Sequence, residues 1–123
     1  MKNIILITAA LFGLIALCMG AFGSHLLFDS LSEYNRSHTF YTAVEYHFYH
    51  TFLLFTIGLY YNFKDSKYLI YSFWTCFFGV ILFSGSLYAL CVTNNVFWGH
   101  ITPIGGCFLI SSYLLFILAV VKN

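Results

Sequence analysis

The chain has 123 residues, of which 61% are hydrophobic, 22% aromatic and only 7% charged, with a mean hydropathy of +0.87. Five Lys and Arg with four Asp and Glu cannot solvate a water-soluble fold of this size, and a net charge of +1 offers no footprint for nucleic acid. A helix crosses a bilayer with roughly 20 apolar residues, so four crossings use about 80 positions and leave no room for an extramembrane domain.

The first apolar run, predicted as a span over 4–23, contains no charge. Ala9, Gly13, Ala16, Gly20 and Gly23 recur along one face of it, a narrow stripe on which another helix can approach closely. Ser72, Thr75, Gly79, Ser86 and Ala89 give the third span a weaker face of the same kind, which makes spans one and three the expected neighbours. A homo-oligomer contact is the alternative use of the stripe. Lys2, the apolar core and Ala21-Phe22-Gly23 resemble a processing site, but full membrane length favours a retained span. Leu17 stands where a lipoprotein box needs a small residue before Cys18.

Residues 30–39 carry soluble-helix signals. Ser30-Leu31-Ser32-Glu33 has capping-box spacing, and Leu27, Leu31, Tyr34 and His38 share a helical face. A separate surface helix and an extension of the next span are both compatible with this pattern. The second span is predicted over 40–61, with Glu45 inside it, and the third and fourth over 68–92 and 101–121. Thr102 suits an N-cap and Pro103 the first helical position. The expected fold is all-α, a single up-and-down four-helix membrane bundle, since continuous apolar runs disfavour a β-barrel. Lys2, Lys64, Lys67 and Lys122 fall on one side and Arg36 on the other, which predicts that both termini are cytoplasmic. Trp98 and the pairs Tyr60-Tyr61 and Tyr68-Tyr71 suit the membrane interfaces.

The polar residues converge. His25, Glu45, His47, His50, Ser84, Ser86, Tyr88, His100 and Thr102 all fall in the outer half of the predicted bundle. If the second span enters hydrocarbon near Tyr41, Glu45 is about 6 Å deep and His50 about 14 Å deep. Glu45 then needs a partner or a proton, and His50 should be neutral and hydrogen-bonded, with Ser84, Ser86 or Tyr88 as candidate partners. An interhelical network that fixes packing is the leading reading of this cluster. A site for a small ligand, quinone or proton is the alternative.

His47 and His50 are three apart and form a weak candidate pair for a metal or haem. There is no CxxCH motif and no accompanying carboxylate pair, so no cofactor is expected. Cys18, Cys76, Cys91 and Cys107 are scattered singly through apolar spans and read as packing residues. Ser84-Gly85-Ser86 lacks the strand-to-helix elbow of a nucleophile, so no catalytic residue is expected. The partners implied are membrane lipids and either further copies of the chain or a membrane complex.

Four segments carry a resemblance: Gly20-Ala21-Phe22-Gly23-Ser24-His25, Glu45-Tyr46-His47-Phe48-Tyr49-His50, Phe83-Ser84-Gly85-Ser86-Leu87-Tyr88 and Ile101-Thr102-Pro103-Ile104-Gly105-Gly106. In order and spacing they resemble the bacterial membrane family catalogued as domain of unknown function 423, related to eukaryotic transmembrane protein 256. The resemblance covers essentially the whole chain. It implies a small four-span protein of the bacterial cytoplasmic membrane with no established activity, and it carries over His25, Tyr46 and His50 as the polar core. Ser24 stands where that family usually has Ala, and His47 where it usually has Gln, which weakens a metal site built on the His47/His50 pair.

Overall fold

In the computed structural model, which describes residues 1–122, the chain is helical throughout, with no strand among the described residues. Helix α1 runs over Lys2–Leu26, its regular part Lys2–Cys18 passing through a π-helical turn at Met19–Gly23. The short α2 covers Phe28–Glu33, α3 Ser37–Tyr61, α4 Lys67–Thr93 and α5 Phe97–Val121.

The helix ends differ from expectation in two places. Residues 30–39 divide between two helices, 30–33 ending the separate short α2 and 37–39 opening α3, with a turn at 34–36 between them. Leu31 and Ser32 accept from the amides of Arg36 and Asn35 at 2.9 and 3.4 Å, and Asn35 has φ +54°, so α2 closes on a left-handed cap. Asn tolerates that conformation, which is how the helix breaks without Gly or Pro. The capping-box residue Glu33 ends this helix instead of opening one, and no side chain caps its start. Asn94, at φ +52°, ends α4 in the same way, and Asn95 Oδ1 then accepts from the Phe97 amide at 3.0 Å. Asn95 therefore caps α5, which starts ahead of the expected Thr102 cap. Pro103 lies inside the helix, where its missing N–H leaves the Gly99 carbonyl without its helical donor.

Successive long helices run antiparallel. Along α1 and α3, side chains of Ile5 and Leu6 meet Gly58, Gly13 faces Thr51, Gly20 faces Val44 and Gly23 faces Phe40. The small-residue stripe of α1 thus packs on the second long helix, not on the third as its spacing suggested. The corresponding face of α4 is occupied by α5: Ser72 meets Ser112, Gly79 meets Leu109 and Ser86 meets Thr102. The tightest approach of all is at Gly105. A Cβ there would stand 2.8 Å from the Leu82 carbonyl carbon and collide with the Phe83 backbone nitrogen.

One apolar cluster joins the long helices through Ile5 and Ala9, Leu54 and Ile57, Phe73 and Leu109. The outer surface is apolar as well, with Ile7, Leu11 and Leu14 of α1 and Ile110, Leu114 and Ile117 of α5 all exposed. An apolar exterior around internally bonded polar groups suits lipid, not water. Helices α1, α4 and α5 are long and apolar enough to cross a membrane. Helix α3 has 25 residues, as α5 does, but carries Glu45, His47 and His50. The lysines gather at one end: Lys122 Nζ donates to Tyr68 OH at 3.2 Å, beside Lys67, and the contact of Leu6 with Gly58 brings Lys2 to the same end. At the other end Arg36 Nε donates to Asn94 Oδ1 at 3.3 Å.

Gly105→Ala is expected to destabilise the fold by about 1–3 kcal/mol, because backbone opposite backbone cannot repack around a methyl. Gly13→Leu should also destabilise, and Leu14→Ala, on the exposed face, should not. Detergent thermal melts read all three, and a Gly105→Ala melt equal to the parent would show that this approach does not limit packing.

Candidate functional site

The interior polar groups form separate interhelical links. Between α3 and α4, Ser84 Oγ donates to the Ala43 carbonyl at 2.9 Å, and His47 Nδ1 shares a hydrogen bond with Tyr88 OH at 3.0 Å. Ser84 and Tyr88, one turn apart, present one face of α4 to α3, while Ser86 turns to α5. Between α4 and α5, Ser72 Oγ donates to the Ser112 carbonyl at 2.8 Å and Ser112 Oγ to that of Ser72 at 2.9 Å. Ser86 and Thr102 hydroxyls meet at 2.6 Å. Such reciprocal links suit an apolar interior, where an unmade hydrogen bond has no water to replace it.

Two histidines on α3 look in different directions. His47 is 4% exposed and sits in a pocket of about 210 Å³ on the α1 side, its ring edge-on to Phe12 at 5.7 Å. His50 is 5% exposed and lines a larger groove of about 490 Å³ on the α5 side. This groove is lined by Tyr46 and Tyr49 of α3, Phe83 of α4, and Gly106 and Tyr113 of α5. His50 Nδ1–H donates to the Tyr46 carbonyl at 2.6 Å. A carbonyl only accepts, so Nδ1 holds the proton and Nε2 keeps a lone pair in the neutral ring.

Several expected members stand apart from this arrangement. His25 and His100 are exposed near the helix ends, and Glu45 is exposed on α3, outside the interior network. Tyr46 is on the groove but 40% exposed, not in a closed core. Tyr88 and Ser84 have partners other than His50, whose hydrogen bond stays within its own helix. The weak metal pair does not converge, because His47 and His50 line different pockets. Among the described residues no group of three or more His, Cys, Asp or Glu is placed to hold a metal ion. Spacing within one helix puts residues on a face but does not say which neighbour that face meets.

Three features were not foreseen: the Ser72/Ser112 pair, the backbone contact at Gly105, and the groove lined by Tyr49, Phe83, Gly106 and Tyr113. A signal existed for the second. Gly105 and Phe83 lie in two of the four signature segments, and these segments meet each other at that contact.

The chain belongs to the family described as Protein of unknown function (DUF423), which matches residues 19–106. It is similar to the UPF0382 membrane protein YwdK of Bacillus subtilis, 36% identical over 121 residues with 98% of each chain covered. A UPF0382 membrane protein of Staphylococcus epidermidis is 39% identical over 120 residues, covering 98% of this chain and 97% of the relative. The UPF0382 inner membrane protein YgdD of Escherichia coli is 30% identical over 124 residues, covering 98% and 92%. No solved structure matches. With its apolar helices, the chain is a helical protein of the bacterial cytoplasmic (inner) membrane.

Tyr88→Phe leaves His47 Nδ1 without its partner and is expected to cost about 1–3 kcal/mol of stability, with His47→Leu similar. The double variant should cost less than the sum, since removing both partners leaves nothing unsatisfied. Strict additivity in a double-mutant cycle of unfolding free energies would show that the two side chains are not coupled.

Proposed function

We propose that this family member is a non-enzymatic four-span protein, both termini cytoplasmic, that works as a subunit of a larger membrane assembly and so supports envelope integrity. The observation that carries the reading is the outer face of α3. Tyr41, Glu45, Phe52 and Thr56 recur along one stripe and are all exposed. Glu45 is about 12 Å from the first residue of α3 at the helical rise. A carboxylate turned to hydrocarbon costs up to about 3 kcal/mol on insertion scales, and a neighbouring protein helix that bonds it removes this cost where lipid does not. A second copy of the chain and a different subunit both fit that role.

Four crossings are supported by the position of α3 between α1 and α4, antiparallel to both. A helix packed in this way, with a length matching the bilayer, crosses with its neighbours. The four lysines at one end against Arg36 at the other support cytoplasmic termini. The interior supports a structural role for the polar side chains: among the described residues no side-chain nitrogen or oxygen that is itself wholly closed off from the surface lacks a partner. One observation favours a second reading, ligand binding. It is the groove beside His50, where the ring keeps an acceptor that no internal bond uses.

Single cysteines at Ser30 and Asn94, in a background without the native cysteines, are expected to react with an impermeant reagent from outside intact spheroplasts. Reaction only after lysis would overturn the orientation. In native gels of gently solubilised membranes the parent should migrate above monomer mass, Glu45→Gln should do the same, and Glu45→Lys should shift to the monomer. A Glu45→Gln variant that melts like the parent yet fails to replace it in cells would overturn the non-enzymatic reading.

A further inference from the structure

We infer that the groove between α3 and α5 binds the ring of an uncharged, lipid-soluble quinol, with His50 Nε2 accepting a hydrogen bond from a ring hydroxyl, and takes the matching quinone by its aromatic walls without that bond. The proposal rests on the four-crossing reading, which sets the groove at mid-membrane, and it specifies the ligand of the second reading above. His50 is the centre of the argument. Its side chain is 95% covered, its Nδ1–H is committed to the Tyr46 carbonyl, and its ring lines the groove. What it offers a ligand is an acceptor and nothing else.

The depth of the site selects the ligand class. At 1.5 Å per residue His50 is about 20 Å from the first residue of α3 and about 17 Å from the last. Neither a phospholipid headgroup nor a water-soluble metabolite reaches that level without leaving its own phase, whereas a neutral ring on an apolar tail is already there. The groove is open sideways, past the exposed Ile110 and Tyr113, so such a molecule enters from the lipid. Its walls are flat and aromatic: Tyr46 and Phe83 rings lie 4.9 Å apart, and Tyr113 stands edge-on to His50 at 5.6 Å. A cavity of about 490 Å³ holds a substituted ring.

Gly106 adds an independent observation. Its neighbour Gly105 is needed for helix contact, but a methyl at Gly106 would meet only the Phe83 ring, at 3.9 Å. The missing side chain at 106 therefore keeps space in the groove and does nothing for the approach of α5 to α4.

The test uses the full chain in phosphatidylcholine nanodiscs and a photoreactive azidobenzoquinone with a short isoprenoid tail. Expected are saturable labelling of α3 or α5 beside the groove, competition by the unlabelled quinol, and loss of labelling by at least about tenfold in Gly106→Leu. His50→Phe keeps a ring but removes the acceptor, and should weaken quinol competition about tenfold while quinone competition changes less. This second variant decides the matter if Gly106→Leu fails to fold. Labelling that does not saturate, that is equal in parent and a folded Gly106→Leu, or that quinol displaces equally well in parent and His50→Phe or not at all would overturn the proposal and would mark the groove as filled by acyl chains or by a partner's side chain. Cysteine labelling at Asn94 reads the crossing of α3 separately, so failure of the site and failure of the topology are distinguishable.

Discussion

In hydrocarbon a hydrogen-bonding side chain has only the protein to bond to, and the packing of this chain follows from that constraint. Helix α3 brings both buried histidines, His47 and His50, together with the buried Thr51. Each has an answer nearby: Tyr88 for His47, and the carbonyl one turn back for His50 and Thr51. Ser84 makes the return link from α4 to the Ala43 carbonyl, so α3 and α4 are held in one register. The serine pair Ser72 and Ser112 does the same for α4 and α5, since each hydroxyl bonds the carbonyl of the other residue.

Close approach is the second requirement, because lipid gives helices no hydrophobic reason to associate and van der Waals contact must do so. The glycines divide the work. Gly13, Gly20 and Gly23 let α1 settle on α3, and Gly79 and Gly105 let α5 reach α4, at 105 as far as its backbone. That last contact fixes Phe83 opposite Gly106 and brings Tyr113 to His50, so the groove is a by-product of the packing. Helix α3 consequently has three distinct sides: one bonded to α4 and packed on α1, one open beside α5, and one carrying Glu45 outward. The proposed assembly face and the proposed ligand groove thus fall on adjacent sides of one helix, with Tyr46 and Tyr49 on the groove next to the Glu45 stripe.

Much of this was legible in the residues. The absence of charge over 4–23 and the apolar runs over 68–92 and 101–121 correspond to the three helices able to cross a membrane, because length and apolarity act locally. The faces were legible too: helical geometry alone separates Ser84 and Tyr88 from Ser86. Asn35 and Asn94 were not recognised as left-handed caps, because Asn adopts that conformation only where the following turn demands it. Asn95 displaced Thr102 as the cap of α5 for a related reason, since the chain leaving Asn94 already presents the Phe97 amide to its side chain.

The sequence by itself determined the membrane class, the helical fold, the small-residue stripe and the set of polar residues that had to be satisfied. Each of these depends on side-chain chemistry and on a period along one helix. Only the tertiary structure decided that the stripe of α1 meets α3, that Tyr88 answers His47 and not His50, that Glu45 and His25 stay outside, and that Gly105 and Gly106, adjacent in the chain, do opposite things. The reason is physical: spacing fixes the angle of a residue around its own helix, while the partner it meets depends on which backbones can approach, and that is settled by the combined shape of all the helices.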